Sequence, residues 1–88
     1  MEDKTIRRNL YRVLRKTGAR KKDIKLSATF DKDLKFDTVD WKIFIYYLEE
    51  IFNISLSDQD IKNLIDVEKT LYYLRKTALN TLMIRQNY

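Results

Sequence analysis

Phe30-Asp31-Lys32-Asp33-Leu34-Lys35-Phe36-Asp37-Thr38-Val39-Asp40 is the stretch on which the fold turns, and Leu48-Glu49-Glu50-Ile51-Phe52 follows it closely. Asp37 stands just before an apolar run with helical spacing, so its carboxylate can accept from the free backbone N–H groups of a helix beginning at Thr38. Asp40 adds negative charge to the first turn, where the helix dipole favours it. Trp41, Phe44, Ile45, Leu48 and Phe52 then recur at i, i+3, i+4, i+7 and i+11. That spacing predicts a helix from Thr38 to about Phe52 with one core-facing stripe. Val39, Ile43 and Tyr46 fall almost opposite it, and an exposed apolar patch on a small domain marks a contact surface more often than an accident. Covering by loop residues or by the C-terminal tail is the alternative.

Upstream, Ile6, Leu10, Val13 and Leu14 give a helix from about Asp3 to Thr17, with Arg8, Arg12, Arg15 and Lys16 on its other side. Gly18 sits where a helix stops in a left-handed cap. Arg20-Lys21-Lys22 opens a loop to Asp37 in which Ile24, Leu26, Phe30, Leu34 and Phe36 are apolar pegs. Downstream, Ser57 or Asp58 can cap a short helix through Leu64 or Ile65, and Asp66 a final helix with Val67, Leu71, Leu74, Ala78 and Leu82 on one face. Tyr72, Leu79 and Met83 form a second stripe. With no Pro and one Gly, the chain reads as all-α.

Eighty-eight residues suffice for one domain with a modest core, which rarely supplies more than about 3–5 kcal/mol. There is no Cys and no His. The commonest catalytic bases and nucleophiles are thus missing, no carboxylate pair is placed for acid–base work, and the chain is not expected to be an enzyme. Met1-Glu2-Asp3-Lys4-Thr5 lacks the apolar core of a signal peptide, and no stretch reaches the roughly 18 apolar residues of a membrane span. A cytoplasmic protein without a membrane span is the expectation.

Asp31, Asp33, Asp37 and Asp40 invite a calcium reading, but the EF-hand glycine position would be Phe36 and its closing glutamate Lys42, so no metal site is expected. The formal charge of +5 and the run Arg7, Arg8, Arg12, Arg15, Lys16, Arg20, Lys21 and Lys22 suggest an acidic partner or nucleic acid. No stacking platform or helix-turn-helix accompanies that run, and Tyr11 alone does not make one, so nucleic acid is the weaker choice and a solvated helix face the ordinary one.

Phe30 with Asp33-Leu34, then Asp37-Thr38-Val39-Asp40, Leu48-Glu49-Glu50-Ile51-Phe52 and Asp66-Val67 with Leu71 and Tyr73-Leu74, resemble in joint spacing the acyl carrier protein family. The match covers roughly Ile6 to Leu74 and is free of gaps from Ile24 onward. It implies an acyl-carrier-like four-helix bundle over residues 1–76, with a long loop after the first helix and a short third helix. Residues 77–88 then form a C-terminal helical extension or tail, which packs on the domain, pairs with another copy or wraps a partner.

The family bears a 4'-phosphopantetheine arm on a serine at the position of Thr38, put there by a phosphopantetheinyl transferase that spends coenzyme A. The resemblance therefore implies a cofactor site at Thr38 framed by Asp37 and Asp40. It also implies a surface of Val39, Ile43, Tyr46, Glu49 and Glu50 toward carrier-processing enzymes, or toward another protein through the second helix. Thr38 keeps the hydroxyl and adds a methyl that stiffens the side chain and crowds attack. The family's glycine after "D-L" is Lys35 here, its proline before the third helix is Ser57, and its acidic second helix carries Lys42, Ile43 and Ile51. An unmodified carrier homologue acting as a protein-interaction module is the alternative to an acyl carrier.

Overall fold

The computed structural model describes the backbone of residues 3–86 and the side chains of residues 3–77. Four α-helices follow one another, α1 (Asp3–Thr17), α2 (Thr38–Phe52), α3 (Asp58–Lys62) and α4 (Val67–Gln86), and α1 packs on both α2 and α4. The expected all-α bundle with a long first loop and a short third helix is what forms. Among the described residues no helix is long and apolar enough to cross a membrane.

Ile6, Leu10, Val13 and Leu14 bury the stripe of α1 against Phe44, Leu48 and Phe52 of α2 and Val67, Leu71 and Leu74 of α4. Gly18, at φ +117°, ends α1 as a C-terminal cap in which the Ala19 amide reaches Leu14 O (3.0 Å) and the Gly18 amide Arg15 O (3.0 Å). Lys21–Asp23 then makes a single 3₁₀ turn in what the sequence reads only as loop. Ile24 and Phe30 are buried as expected, and Leu34 and Phe36 pack partly buried against the core. Leu26 is not a peg: it is 36% exposed, and Ala28 takes the inward place two residues on.

The loop is stitched by its backbone to the α3–α4 junction. Phe30 N–H donates to Ile65 O (3.2 Å), Val67 N–H to Ala28 O (3.0 Å) and Glu68 N–H to Leu26 O (3.0 Å). Two amides of the first turn of α4, which no earlier turn of their own helix could satisfy, are thereby paired. Asp66 caps the same end as expected, accepting from Lys69 N–H at 2.8 Å.

α3 is capped by Ser57, whose hydroxyl accepts from Asp60 N–H (3.1 Å) while the Asp60 carboxylate accepts from Ser57 N–H (3.1 Å). It stops at Lys62, before the expected Leu64 or Ile65, because the amides of Asn63 and Leu64 tighten onto carbonyls three residues back and turn Leu64 into the core. α4 runs unbroken past residue 77. The packing of Ala78, Leu79, Leu82, Met83 and Ile84 lies outside the described side chains.

Candidate functional site

The start of α2 is held from below and from the side. Below it, Phe30, Phe36, Trp41 and Phe44 form a cluster in which every pair of ring centroids lies 4.9–5.8 Å apart, with tilted or edge-on geometry. Two of the rings come from the loop and two from α2, so the cluster fixes where the loop delivers the chain to the helix. From the side, Asp33 folds back on Thr29, its carboxylate accepting from Thr29 N–H (2.8 Å) and Thr29 Oγ1 (3.2 Å), while Leu34 N–H donates to Thr29 O (3.0 Å). Lys35 then turns the chain at φ +53°, the left-handed conformation that glycine adopts without steric cost. Phe36 N–H closes that turn on Phe30 O at 2.8 Å.

Asp37 and Asp40 form a reciprocal box around Thr38 and Val39. Asp40 N–H donates to Asp37 Oδ1 (2.8 Å) and Asp37 N–H to Asp40 Oδ2 (3.1 Å). Asp33, Asp37 and Asp40 thus each hold backbone amides, which accounts for their presence without a cation. Thr38 is the first residue of α2 and is exposed, so its hydroxyl stands at the positive end of a helix where a phosphate is favoured.

A shallow groove of about 390 Å³ leads away from Thr38 between α2 and α3, lined by Trp41, Lys42, Ile45, Tyr46, Glu49 and Ile61. On the outer side of α2, Val39 (62%) and Tyr46 (61%) stand well out and Ile43 (37%) less so, and among the described residues no loop covers them. Glu50 is exposed. Glu49 is partly buried and spends Oε2 on Leu56 N–H (2.8 Å), tying the end of α2 to the segment before α3. α2 ends at Asn53, whose φ of 53° and ψ of 51° make the left-handed cap there, with the Ile54 amide on Glu49 O (3.2 Å).

Beyond the groove, burial pushes the Tyr73 hydroxyl above its ordinary pKa, and the neighbouring Asp60 carboxylate adds to the effect. Asp60 is held below the usual carboxylate range chiefly by the Ser57 amide, then by the Ser57 hydroxyl.

The acyl carrier protein of Phytoplasma australiense is 38% identical to this chain over 53 residues, which span 60% of the chain and 70% of that protein. The chain belongs to the acyl carrier protein family. The acyl carrier protein of Kocuria rhizophila is 27% identical over 62 residues, covering 70% of the chain and 76% of its own length. No protein-family model matches the chain.

Of the residues singled out from the carrier pattern, Asp37, Thr38, Val39 and Asp40 converge at one helix end, and Ile43, Tyr46 and Glu50 extend from it along exposed α2. Trp41 and Ile45, assigned to the core by periodicity, serve both sides: they pack against the core and line the groove. Lys42 and Ile61 were not singled out for it. Lys42 stands four residues after Thr38, hence on the same helix side, which was a usable signal; Ile61 had none, because five residues of α3 show too little periodicity to assign a face.

Proposed function

We propose that this chain is an acyl carrier whose attachment point is Thr38, bearing acyl or related groups as thioesters on a 4'-phosphopantetheine arm. The observation that carries this is the exposed Thr38 hydroxyl at the start of α2, held by the Asp37–Asp40 box and opening onto the groove. Asp37 and Asp40 keep the first turn closed and its amides oriented, so the hydroxyl is presented on a rigid element rather than on the loop.

The arm fits that position: its phosphate would meet the positive end of the helix, and its terminal thiol supplies the thioester chemistry. In attachment, Thr38 Oγ1 forms a bond to the phosphorus of coenzyme A that bears the pantetheine. The pyrophosphate bond breaks, adenosine 3',5'-bisphosphate departs, and the hydroxyl proton passes to a base of the transferase. The threonine methyl narrows the approach, and small positioning losses cost on the order of 100-fold in rate. Thr38 is therefore a slower acceptor than a serine in the same place.

Val39, Ile43 and Tyr46, with Glu50, form the surface offered to the transferase and to processing enzymes, and Glu49 contributes mainly by holding α2 to the next segment. The deciding experiment is intact mass after incubation with coenzyme A, magnesium and a broad-specificity phosphopantetheinyl transferase. The expected result is one added phosphopantetheine on the native chain, none on Thr38→Ala, and faster addition on Thr38→Ser. An unmodified native chain beside a modified Thr38→Ser variant overturns the assignment of Thr38 as a working attachment site.

A further inference from the structure

The cations of this chain are not spread over it. Residues 4–22 hold nine of the 18 Lys and Arg and none of the 13 Asp and Glu, so the net positive charge resides entirely in α1 and the turn after it, and the rest of the chain is net acidic. Arg7, Arg8, Arg12, Arg15 and Lys16 are all exposed on α1, and among the described residues none of them forms a salt bridge. Arg8, Arg12, Arg15 and Lys16 line a groove of about 550 Å³ with Tyr11, and Lys16 Nζ sits over the Tyr47 ring at 5.2 Å. Arg8 and Arg12, and Arg12 and Lys16, are spaced i, i+4, where like charges destabilise a helix. The folded domain leaves this repulsion uncompensated, and a bound polyanion would relieve it.

We infer that the α1 face of Arg8, Arg12, Arg15 and Lys16 is a docking surface for an acidic protein partner, one that presents a stripe of carboxylates. Three observations favour a protein over nucleic acid. Tyr11 is half-buried and Tyr47 is capped by Lys16, so the face offers no free ring on which a base could stack. Arg8, Arg12, Arg15 and Lys16 are placed along one side of a helix about 22 Å long, at intervals that match carboxylates on one face of a second helix. Beyond that patch the domain is net acidic, so a long phosphate backbone would run onto carboxylates, whereas a bounded acidic patch would not. Guanidinium groups suit carboxylates because their planar forks bind both oxygens.

The full chain is tested by fluorescence anisotropy against a labelled, alanine-based helical peptide with Glu in an i, i+4, i+7 stripe. Single-stranded DNA and duplex DNA of equal charge and phosphatidylserine vesicles serve as the competing probes, all near physiological ionic strength. Two variants are compared, Arg8→Gln/Arg12→Gln/Arg15→Gln and the equally neutralised Lys25→Gln/Lys32→Gln/Lys69→Gln, with thermal melts verifying that both fold. Expected are tightest binding to the acidic peptide and a loss of about tenfold in the α1 variant alone. Equal losses in both variants would reduce the effect to net charge and overturn the inference. So would tighter binding of DNA or vesicles, or no binding of the peptide by the native chain.

Discussion

α1 and α2 are both fifteen residues long and pack on each other, yet they turn opposite chemistry to solvent. α1 sorts its residues as a surface helix must, with Ile6, Leu10, Val13 and Leu14 inside and cations outside. α2 buries Phe44, Leu48 and Phe52 and still exposes Val39, Ile43 and Tyr46. The inner stripes are explained by folding alone. The outer face of α2 is not, because three apolar residues left in water stabilise nothing within the domain, and that surplus is where contact with another molecule is to be sought.

The comparison breaks most completely if the shared floor is removed. Phe44→Ala takes out a ring that is fully buried and touches Phe30, Phe36 and Trp41, at an expected cost of about 3–5 kcal/mol. That equals the whole stability expected of so small a core, so the cooperative thermal transition followed by circular dichroism should vanish. Asp37→Ala acts on α2 only, removing its cap for about 1 kcal/mol and lowering the melting temperature by roughly 4–8 °C. Lys35→Gly has the opposite sign, because it relieves a side chain held in the left-handed region, and should raise stability by about 0.5–1 kcal/mol in urea titrations.

Tyr46→Asp sharpens the contrast between the two faces of α2. It should change stability by no more than about 0.5 kcal/mol while slowing arm attachment in the mass assay, because the residue is exposed. The smallest effect lies in alkali. The Tyr73 hydroxyl has a raised folded pKa, so its contribution is fully present below its unfolded value of 10.0 and is lost as pH rises through the folded value. Tyr73→Phe should therefore flatten the alkaline fall of the melting temperature and leave neutral behaviour little changed. The depressed carboxyl of Asp60 works the other way, its contribution present above the unfolded value of 3.8 and lost as pH falls through the folded value.

Helices α1 and α2 could be read from the chain because side chains mark their inner stripes and the boundary each shares with the first loop. Gly18 closes α1, Asp37 opens α2, and the boundaries Asp3–Thr17 and Thr38–Phe52 agree with the periodicity. The loop was harder. Phe30 and Phe36 announce themselves as apolar, but nothing in the identity of Leu26 says that its carbonyl, rather than its side chain, makes the tertiary bond. Lys35 likewise hides a left-handed turn because lysine is not the residue that usually signals one. At the site, capping chemistry marked Asp37 and Asp40 and the resemblance to the carrier family pointed to Thr38, whereas the groove required α3 to be placed beside α2, which five residues of sequence cannot specify.

The stitching of the loop to α4 has a consequence for which substitutions the chain can tolerate. A helix's first turn is ordinarily where proline is welcome, since the amide it lacks would have had no partner in the helix. Here Val67 and Glu68 have already committed those amides to Ala28 and Leu26 across the molecule. The loop makes these bonds through carbonyls that any residue could supply, while this one helix start loses its customary licence for proline, an inheritance written in the backbone and invisible in any single residue.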